Sequence, residues 1–185
     1  WATGYANSKQ VDKFVWDCDG MGIGLKSQIG AAFSGKHVQP EQFKGSEAPW
    51  NPTDEYLCHE DEETRPDKVY TNKDVFLNQR AQFYWELRRR CLNTFMAITK
   101  GKYIDPEELI SFSSSITHLD ILRAEVCKIP RKYTASGRIQ LLTKAEMLAK
   151  GVPSPNIADC VMMLMKPSEK EHGPVRLAPM KGWGQ

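Results

Sequence analysis

Two carboxylates in apolar surroundings carry the chemistry this sequence offers. Asp17 closes the run Phe14-Val15-Trp16, and Asp159 sits inside Ile157-Ala158-Asp159-Cys160-Val161-Met162-Met163-Leu164-Met165. A charged group among apolar neighbours costs free energy unless it is paired or holds a cation, so each acid demands a partner. Carboxylate oxygens are hard donors that suit Mg²⁺ or Mn²⁺. Two such ions about 4 Å apart stabilise the attacking and leaving oxygens of a phosphodiester under hydrolysis. Asp19 follows Asp17 closely, and the glycines at 20, 22 and 24 let the backbone turn sharply and approach whatever the acids hold. The plainer reading of the same stretch is a strand-to-helix turn in which Asp17 or Asp19 caps a helix starting near Leu25.

The elements that must position these acids are legible in outline. Lys13 to Asp17 has the apolar, β-branched and aromatic character of a buried strand, with Asp17 at its carboxyl end, where open α/β sheets bind ligands. Leu25, Ile29, Ala32 and Phe33 recur at helical spacing up to Gly35, and a second strand is expected near His37 to Phe43. The resulting βαβ unit has a right-handed crossover and places its two strands parallel and adjacent. Residues 1 to 10 read as the end of a helix. Lys44 to Val69 changes to Pro, Gly, Glu and Asp, with the acidic run Glu60-Asp61-Glu62-Glu63, and reads as a surface excursion.

Asp74 to Lys100 follows a helical pattern closed by Gly101, and within it Arg88-Arg89-Arg90 suits either a solvated helix back or a polyanion. Asp105-Pro106-Glu107-Glu108 starts a short helix. Leu122 to Ile129 alternates as a strand and Arg138 to Leu142 returns as its hairpin partner. Thr143-Lys144-Ala145-Glu146 is a capping box, and Ser154-Pro155 opens a helix expected to be buried on most sides. Lys166 to Gln185 has little periodicity and reads as a flexible tail, leaving one domain over residues 1 to 165.

Composition narrows the classes. With 185 residues and 41% hydrophobic content the chain can bury a core, and a net charge of +2 is too small to mark a nucleic-acid binder by bulk charge alone. Local clusters, including Arg131-Lys132, can still offer phosphate contacts. The five cysteines show no metal or disulfide spacing, Cys58-His59 being a weak zinc pattern, so buried reduced thiols are expected. No apolar run approaches the roughly 20 residues that span a bilayer, and no leader precedes the first strand, so a soluble intracellular protein without a membrane partner is expected. A chain beginning with Trp rather than Met is expected to be a piece of a longer one. Gly30 to His37 nearly spells a phosphate-binding loop, but His37 stands where a Ser or Thr is required. The glycines after Asp17 miss the dinucleotide fingerprint, and no lysine has Asp or Glu two residues before it, as a restriction-type core needs.

Taken in order, Asp17-Cys-Asp-Gly-Met-Gly-Ile-Gly, Asn78-Gln-Arg80-Ala-Gln-Phe-Tyr-Trp-Glu-Leu-Arg88, Thr143-Lys144 and Ser154-Pro-Asn-Ile-Ala-Asp159 resemble the nuclease domain of the large terminase subunit of tailed double-stranded DNA phages. The resemblance runs from about residue 11 to residue 165. It implies an RNase H-like α/β fold, a mixed sheet flanked by helices with a long helical insertion and a β-hairpin before the last helix. It also implies a two-metal-ion endonuclease that cuts concatemeric DNA during packaging in the host cytoplasm. Asp17 and Asp159 would then be catalytic metal ligands for Mg²⁺ or Mn²⁺, Asp19 an auxiliary ligand, and Lys144 and Arg80 phosphate contacts, beside Arg88, Arg89, Arg90, Arg131 and Lys132. Implied partners are double-stranded DNA, the portal protein of the procapsid, the small terminase subunit and an ATPase domain of the same full-length chain. The family's first metal-binding Asp lies on a strand upstream of the first helix, and this sequence has no such strand. The rival reading is a catalytically silent DNA-binding or portal-docking module of the same fold.

Overall fold

The computed structural model describes residues 1–56 and 69–167. The acidic run, Cys58-His59 and the tail after Pro167 lie outside the described residues. In chain order the elements are α1 (Ala2–Ser8), β1 (Lys13–Asp17), a 3-10 turn (Gly20–Leu25), α2 (Lys26–Phe33), β2 (Gln39–Phe43), α3 (Asn72–Val75), α4 (Gln79–Lys100), a second 3-10 turn (Pro106–Glu108), α5 (Leu119–Cys127), β3 (Arg131–Tyr133), β4 (Ile139–Leu141), α6 (Lys144–Ala149) and α7 (Asn156–Met163). This is an α/β chain, as expected. The described strands form two small sheets, the parallel pair β1 and β2 and the antiparallel hairpin β3 and β4. No helix among the described residues is long and apolar enough to cross a membrane.

The βαβ unit forms as its pattern requires. Lys13 pairs with Gln39 and Asp17 with Phe43, in parallel register. Side chains alternate across β1, so it is covered on both faces. Phe14 and Trp16 pack with Ala6, Ile29, Phe33 and Val38 from the α1 and α2 side. Val15 packs on the opposite face against the main core of Phe43, Phe83, Tyr84, Leu87, Leu122, Ala158 and Met162, contributed by β2, α4, α5 and α7. Lys13, Val15 and Asp17 therefore share the face that α7 covers.

Helix α7 is fastened to that face at both ends. Asp159, near its start, is bonded to Arg80 of α4. Lys166, just past its end, is 8% exposed and reaches Glu41 of β2 at 3.5 Å, while Lys13 of β1 reaches the same carboxylate at 2.9 Å and the Lys166 carbonyl at 3.1 Å. Glu41 thus lies between two ammonium groups. With Lys166 fastened at the start of β1 and Asp159 held by Arg80, whose backbone is anchored beyond the end of β2, α7 runs antiparallel to β1.

Several expectations need correction. The helix expected from Asp74 begins at Gln79, because Asn78 accepts from the Ala81 N–H as N-cap and Phe76 turns inward to bridge Ile139. The stretch 122–129 is not a strand. Residues 122–127 belong to α5, with Leu122 in the core, and the hairpin instead joins 131–133 to 139–141. Its apolar positions satisfy a helical face as well as an alternating one, and short runs do not separate the two. Helix α7 buries Ala158 and Met162 but leaves Asn156 and Cys160 exposed, so it is buried on one side only. Lys166 belongs to the folded body rather than to a tail. Of the described cysteines, all free, only Cys18 is fully buried, and Cys127 and Cys160 are exposed.

Ser154 does not cap α7. The carboxylate of Glu125 on α5 accepts from the Ile157 and Ala158 N–H groups at 2.9 and 2.8 Å, supplying both a cap and a negative charge at the positive end of the helix. Replacing Glu125 by Ala should lower unfolding free energy by about 1–2 kcal/mol in urea titrations, whereas Asp120→Ala, at a fully exposed position of the same helix, should change it by less than about 0.5 kcal/mol.

The capping box of α6 also ties that helix to the hairpin. Lys132 of β3 bonds the Glu146 carboxylate at 2.6 Å, and Thr143 donates to it through its N–H and its hydroxyl. Chiefly through Lys132, then through Thr143, these bonds hold Glu146 down at about 2, against an ordinary 4.5. A depressed carboxylate contributes stability that is full above its unfolded pKa and is lost as pH falls through the folded value. Melting temperatures of the native chain and of Glu146→Gln should therefore differ most above pH 4.5 and converge as pH falls to about 2.

Candidate metal centre

The site is built where β1 and β2 end. Asp17 stands exposed at the end of β1, and its Oδ1 accepts the Asp19 N–H at 2.9 Å. Asp19 turns back toward the loop after β2, where Ser46 donates to its carboxylate through the backbone N–H at 3.0 Å and the hydroxyl at 2.8 Å. The two strand-end loops are thus joined by Asp19 itself. The plainer sequence reading is answered here: neither acid caps the helix, since the 3-10 turn has no side-chain cap at Asp19 and α2 none at Leu25.

Gly45 is the close-packed point of this junction. A Cβ there would stand 3.1 Å from the Arg80 Cβ, 3.2 Å from the Phe43 ring and 3.4 Å from Asp19 Oδ2. The Arg80 N–H donates to the Gly45 carbonyl at 3.0 Å, which fixes the first turn of α4 against the strand-end loop. From that anchored backbone the Arg80 guanidinium reaches Asp159 Oδ1 at 3.2 Å, and the Tyr84 hydroxyl, one helical turn on, donates to the same oxygen at 2.7 Å. Burial, then the neighbouring Asp159 carboxylate, pushes the Tyr84 phenol far above its usual range. The phenol is thereby held in its protonated, donating form.

Asp17, Asp19, Asp159 and Arg80 therefore gather at one end of the parallel pair. Among the described residues, no three His, Cys, Asp or Glu side chains converge closely enough to form a ready metal cage. The donor chemistry still suits a hard divalent cation. Asp17 and Asp159 each have one oxygen engaged by a hydrogen bond and a second that no described residue bonds, while both oxygens of Asp19 are in use by Ser46.

The basic residues singled out from sequence fall into three settings. Arg89 and Arg90 both bond Glu86, Arg89 also pairs with Glu108 at 3.2 Å, and Arg90 donates to the Glu107 and Leu109 carbonyls. Burial alone would raise the Glu86 pKa, but the bonds and charges of Arg89 and Arg90 outweigh it and hold the group ionised. Their charge is met within the protein, and they pin the 105–110 loop to α4. Arg88 and Arg131 lie over the Trp85 indole at 4.8 and 4.9 Å, and both are exposed. Lys132 is paired with Glu146, and Lys144 stands exposed at the start of α6 with no bond to the Asp159 group. Sequence reasoning missed Tyr84, Ser46 and Glu125. Tyr84 could have been found, since it lies four residues after Arg80 on one helix face.

No family model matches the chain, and no curated protein matches it in sequence. Solved structures do. The nuclease domain of the large terminase subunit gp2 of bacterial virus Sf6 is 40% identical with a TM-score of 0.80, over 91% of this chain and 70% of that one. The chain belongs to the large-terminase nuclease family. A lysine-to-alanine variant of that Sf6 domain, solved with manganese and beta-thujaplicinol, matches at 39% identity and a TM-score of 0.79, covering 91% of this chain and 70% of the other. A calcium-containing structure of the variant matches at 40% and 0.78 with the same coverage.

Because Arg80, Phe43 and Asp19 crowd Gly45 from three sides, Gly45→Ala should cost about 1–3 kcal/mol in urea titrations and should weaken Mn²⁺ binding measured by calorimetry. Gly24→Ala, with nothing within 4 Å of the added carbon, should leave both within error of the native chain.

Proposed function

We propose that this chain is a metal-dependent endonuclease domain of a viral DNA-packaging motor, cutting concatemeric double-stranded DNA in the host cytoplasm. The observation that carries this reading is the position of Asp159. Arg80 and Tyr84 hold it on the sheet face that Asp17 shares, at the strand end, in a member of a nuclease family.

In this reading Asp17 and Asp159 hold a divalent cation, Mg²⁺ or Mn²⁺, with Asp19 as tether and auxiliary acid. A bound cation supplies charge neutralisation and Lewis-acid polarisation of the scissile phosphate. The chain's own groups do the rest. Tyr84 fixes the orientation of the Asp159 carboxylate. Arg80 neutralises that carboxylate and sets a planar guanidinium beside it, suited to a phosphate oxygen. Asp17 is exposed, so a phosphodiester can reach it. Arg88 and Arg131, beside the Trp85 ring, and Lys144 and Lys132 around the hairpin and α6 contact the backbone of the duplex without reading bases. DNA reaches the site from an ATPase domain of the same full-length chain, with the small terminase subunit and the portal of the procapsid as further partners.

One observation favours a second reading, a silent DNA-binding or docking module: the absence of a three-acid group among the described residues. Plasmid nicking separates the two. The chain should nick supercoiled plasmid in Mn²⁺ and stop on chelation, and Asp17→Asn and Asp159→Asn should each lose about 100-fold or more with melting temperature retained. Duplex binding should weaken as salt rises, and Arg131→Ala and Lys144→Ala should each reduce the logarithmic salt slope by about 1. Salt-sensitive duplex binding without nicking, in any divalent cation, would put the silent module in place of the enzyme.

A further inference from the structure

We propose that Met21 and Ile23 form a rigid apolar tip that presses into a groove of duplex DNA beside the phosphate held at Asp17. This inference rests on the nuclease reading and adds to it a contact that is neither a metal ligand nor a phosphate clamp.

Met21 is 96% exposed and Ile23 67% exposed, on the 3-10 turn that directly follows the strand-end acids. An isolated exposed apolar side chain needs no explanation, but here Met21 and Ile23, spaced by glycines at 20, 22 and 24 and followed by the half-exposed Leu25, give the turn a wholly apolar set of side chains. The turn is fastened to the site through its backbone. The Trp16 indole N–H donates to the Gly22 carbonyl at 3.2 Å. A Cβ on Gly22 would overlap the Asp17 carbonyl outright, so only glycine allows this approach. Gly20 has a φ of 65°, which glycine adopts without strain, and Asp19 holds the start of the turn to both Asp17 and Ser46. The glycines thus serve to set Met21 and Ile23 at a fixed place relative to Asp17.

The occupant follows from that placement. Gly22 packs directly against the Asp17 carbonyl, and Met21 and Ile23 are its chain neighbours, so the tip lies beside Asp17. A duplex that brings a phosphodiester to Asp17 is then within reach of the tip. Side chains without charge or hydrogen-bonding groups cannot bind phosphate; what they can touch is sugar and base surface, and Met, Ile and Leu are among the side chains that wedge between base steps and unstack them. The cations of the site and the tip divide the work, the first holding the backbone and the second setting depth and strain at the step being cut.

The test compares Met21→Ser/Ile23→Ser with Met21→Leu and the native chain. Fluorescence anisotropy with a labelled 30-base-pair duplex in Ca²⁺ should give about tenfold weaker binding for the serine variant, with the logarithmic salt slope unchanged because no phosphate contact is removed. In Mn²⁺ its KM for duplex cutting should rise about tenfold with kcat within twofold, and Met21→Leu should behave as native. A 2-aminopurine base beside the cut site should brighten on binding the native chain and not on binding the serine variant. Unchanged affinity and KM in the serine variant, with melting temperature and Mn²⁺ binding intact, would overturn the proposal and assign the tip to a protein surface instead. A fall in salt slope would also overturn it. Failure of the native chain to cut, by contrast, would strike the nuclease reading itself.

Discussion

Arg80 ties together three separate parts of this chain. Its backbone N–H holds the Gly45 carbonyl beyond β2, its guanidinium holds Asp159 on α7, and its side chain lies over the Tyr84 ring of its own helix at 5.7 Å. An ion pair with both side chains about four-fifths buried is a poor source of net stability, since desolvation offsets much of the attraction. What such a pair fixes is geometry. With the first turn of α4 locked to the strand-end loop, the guanidinium can reach Asp159 from one direction only, and α7 settles over the face of β1 that carries Asp17.

The far end of α7 is governed by a similar constraint. Lys166, Glu41 and Lys13 place two ammonium groups on one carboxylate, with Lys166 also over the Trp50 ring at 4.6 Å. Since α7 crosses β1 between this cluster and the Arg80 pair, sliding the helix along the strand would break one charge contact or the other. The Glu125 carboxylate, at the start of the helix, resists the same displacement. Three polar fastenings around an apolar contact of Ala158 and Met162 hold Asp159 in register on a helix of only eight residues.

How far the sequence discloses this arrangement depends on the range of each interaction. The βαβ unit, both capping residues at 143 and 105, the end of α4 at Gly101 and the two acids themselves are local patterns, and they appear where their residues place them. The fate of 122–129 was not local. Its alternation fits a strand, and only contact of Leu122 with the core and of Glu125 with α7 makes the helix the better state. Arg88-Arg89-Arg90 reads as one basic cluster, yet Glu86 draws in two of the three side chains because residues three and four apart share a helix face. Lys166 reads as the start of a tail because its partner Glu41 lies far away in sequence. Family resemblance supplied what periodicity could not, the expectation that Asp17 and Asp159 belong to one site.

The charge economy of the site explains why so few acids stand close together in it. Three carboxylates left facing one another would repel, and the fold answers this differently for each. Asp159 is given a guanidinium and a phenol, Asp19 is turned away onto the N–H and hydroxyl of Ser46, and Asp17 is left in solvent with the N–H of Asp19 on one oxygen. Together these arrangements leave one carboxylate oxygen of Asp17 and one of Asp159 that no described residue bonds. Were a cation to bind there as proposed, it would compete with Arg80 for the field of Asp159 and gain only part of a coordination shell from the chain. Weak metal binding would then follow from the same contacts that hold the fold, and a phosphate that supplies further oxygens and occupies Arg80 would tighten it. Metal and DNA would load together, so that a nuclease built this way cuts only when the duplex is already in place.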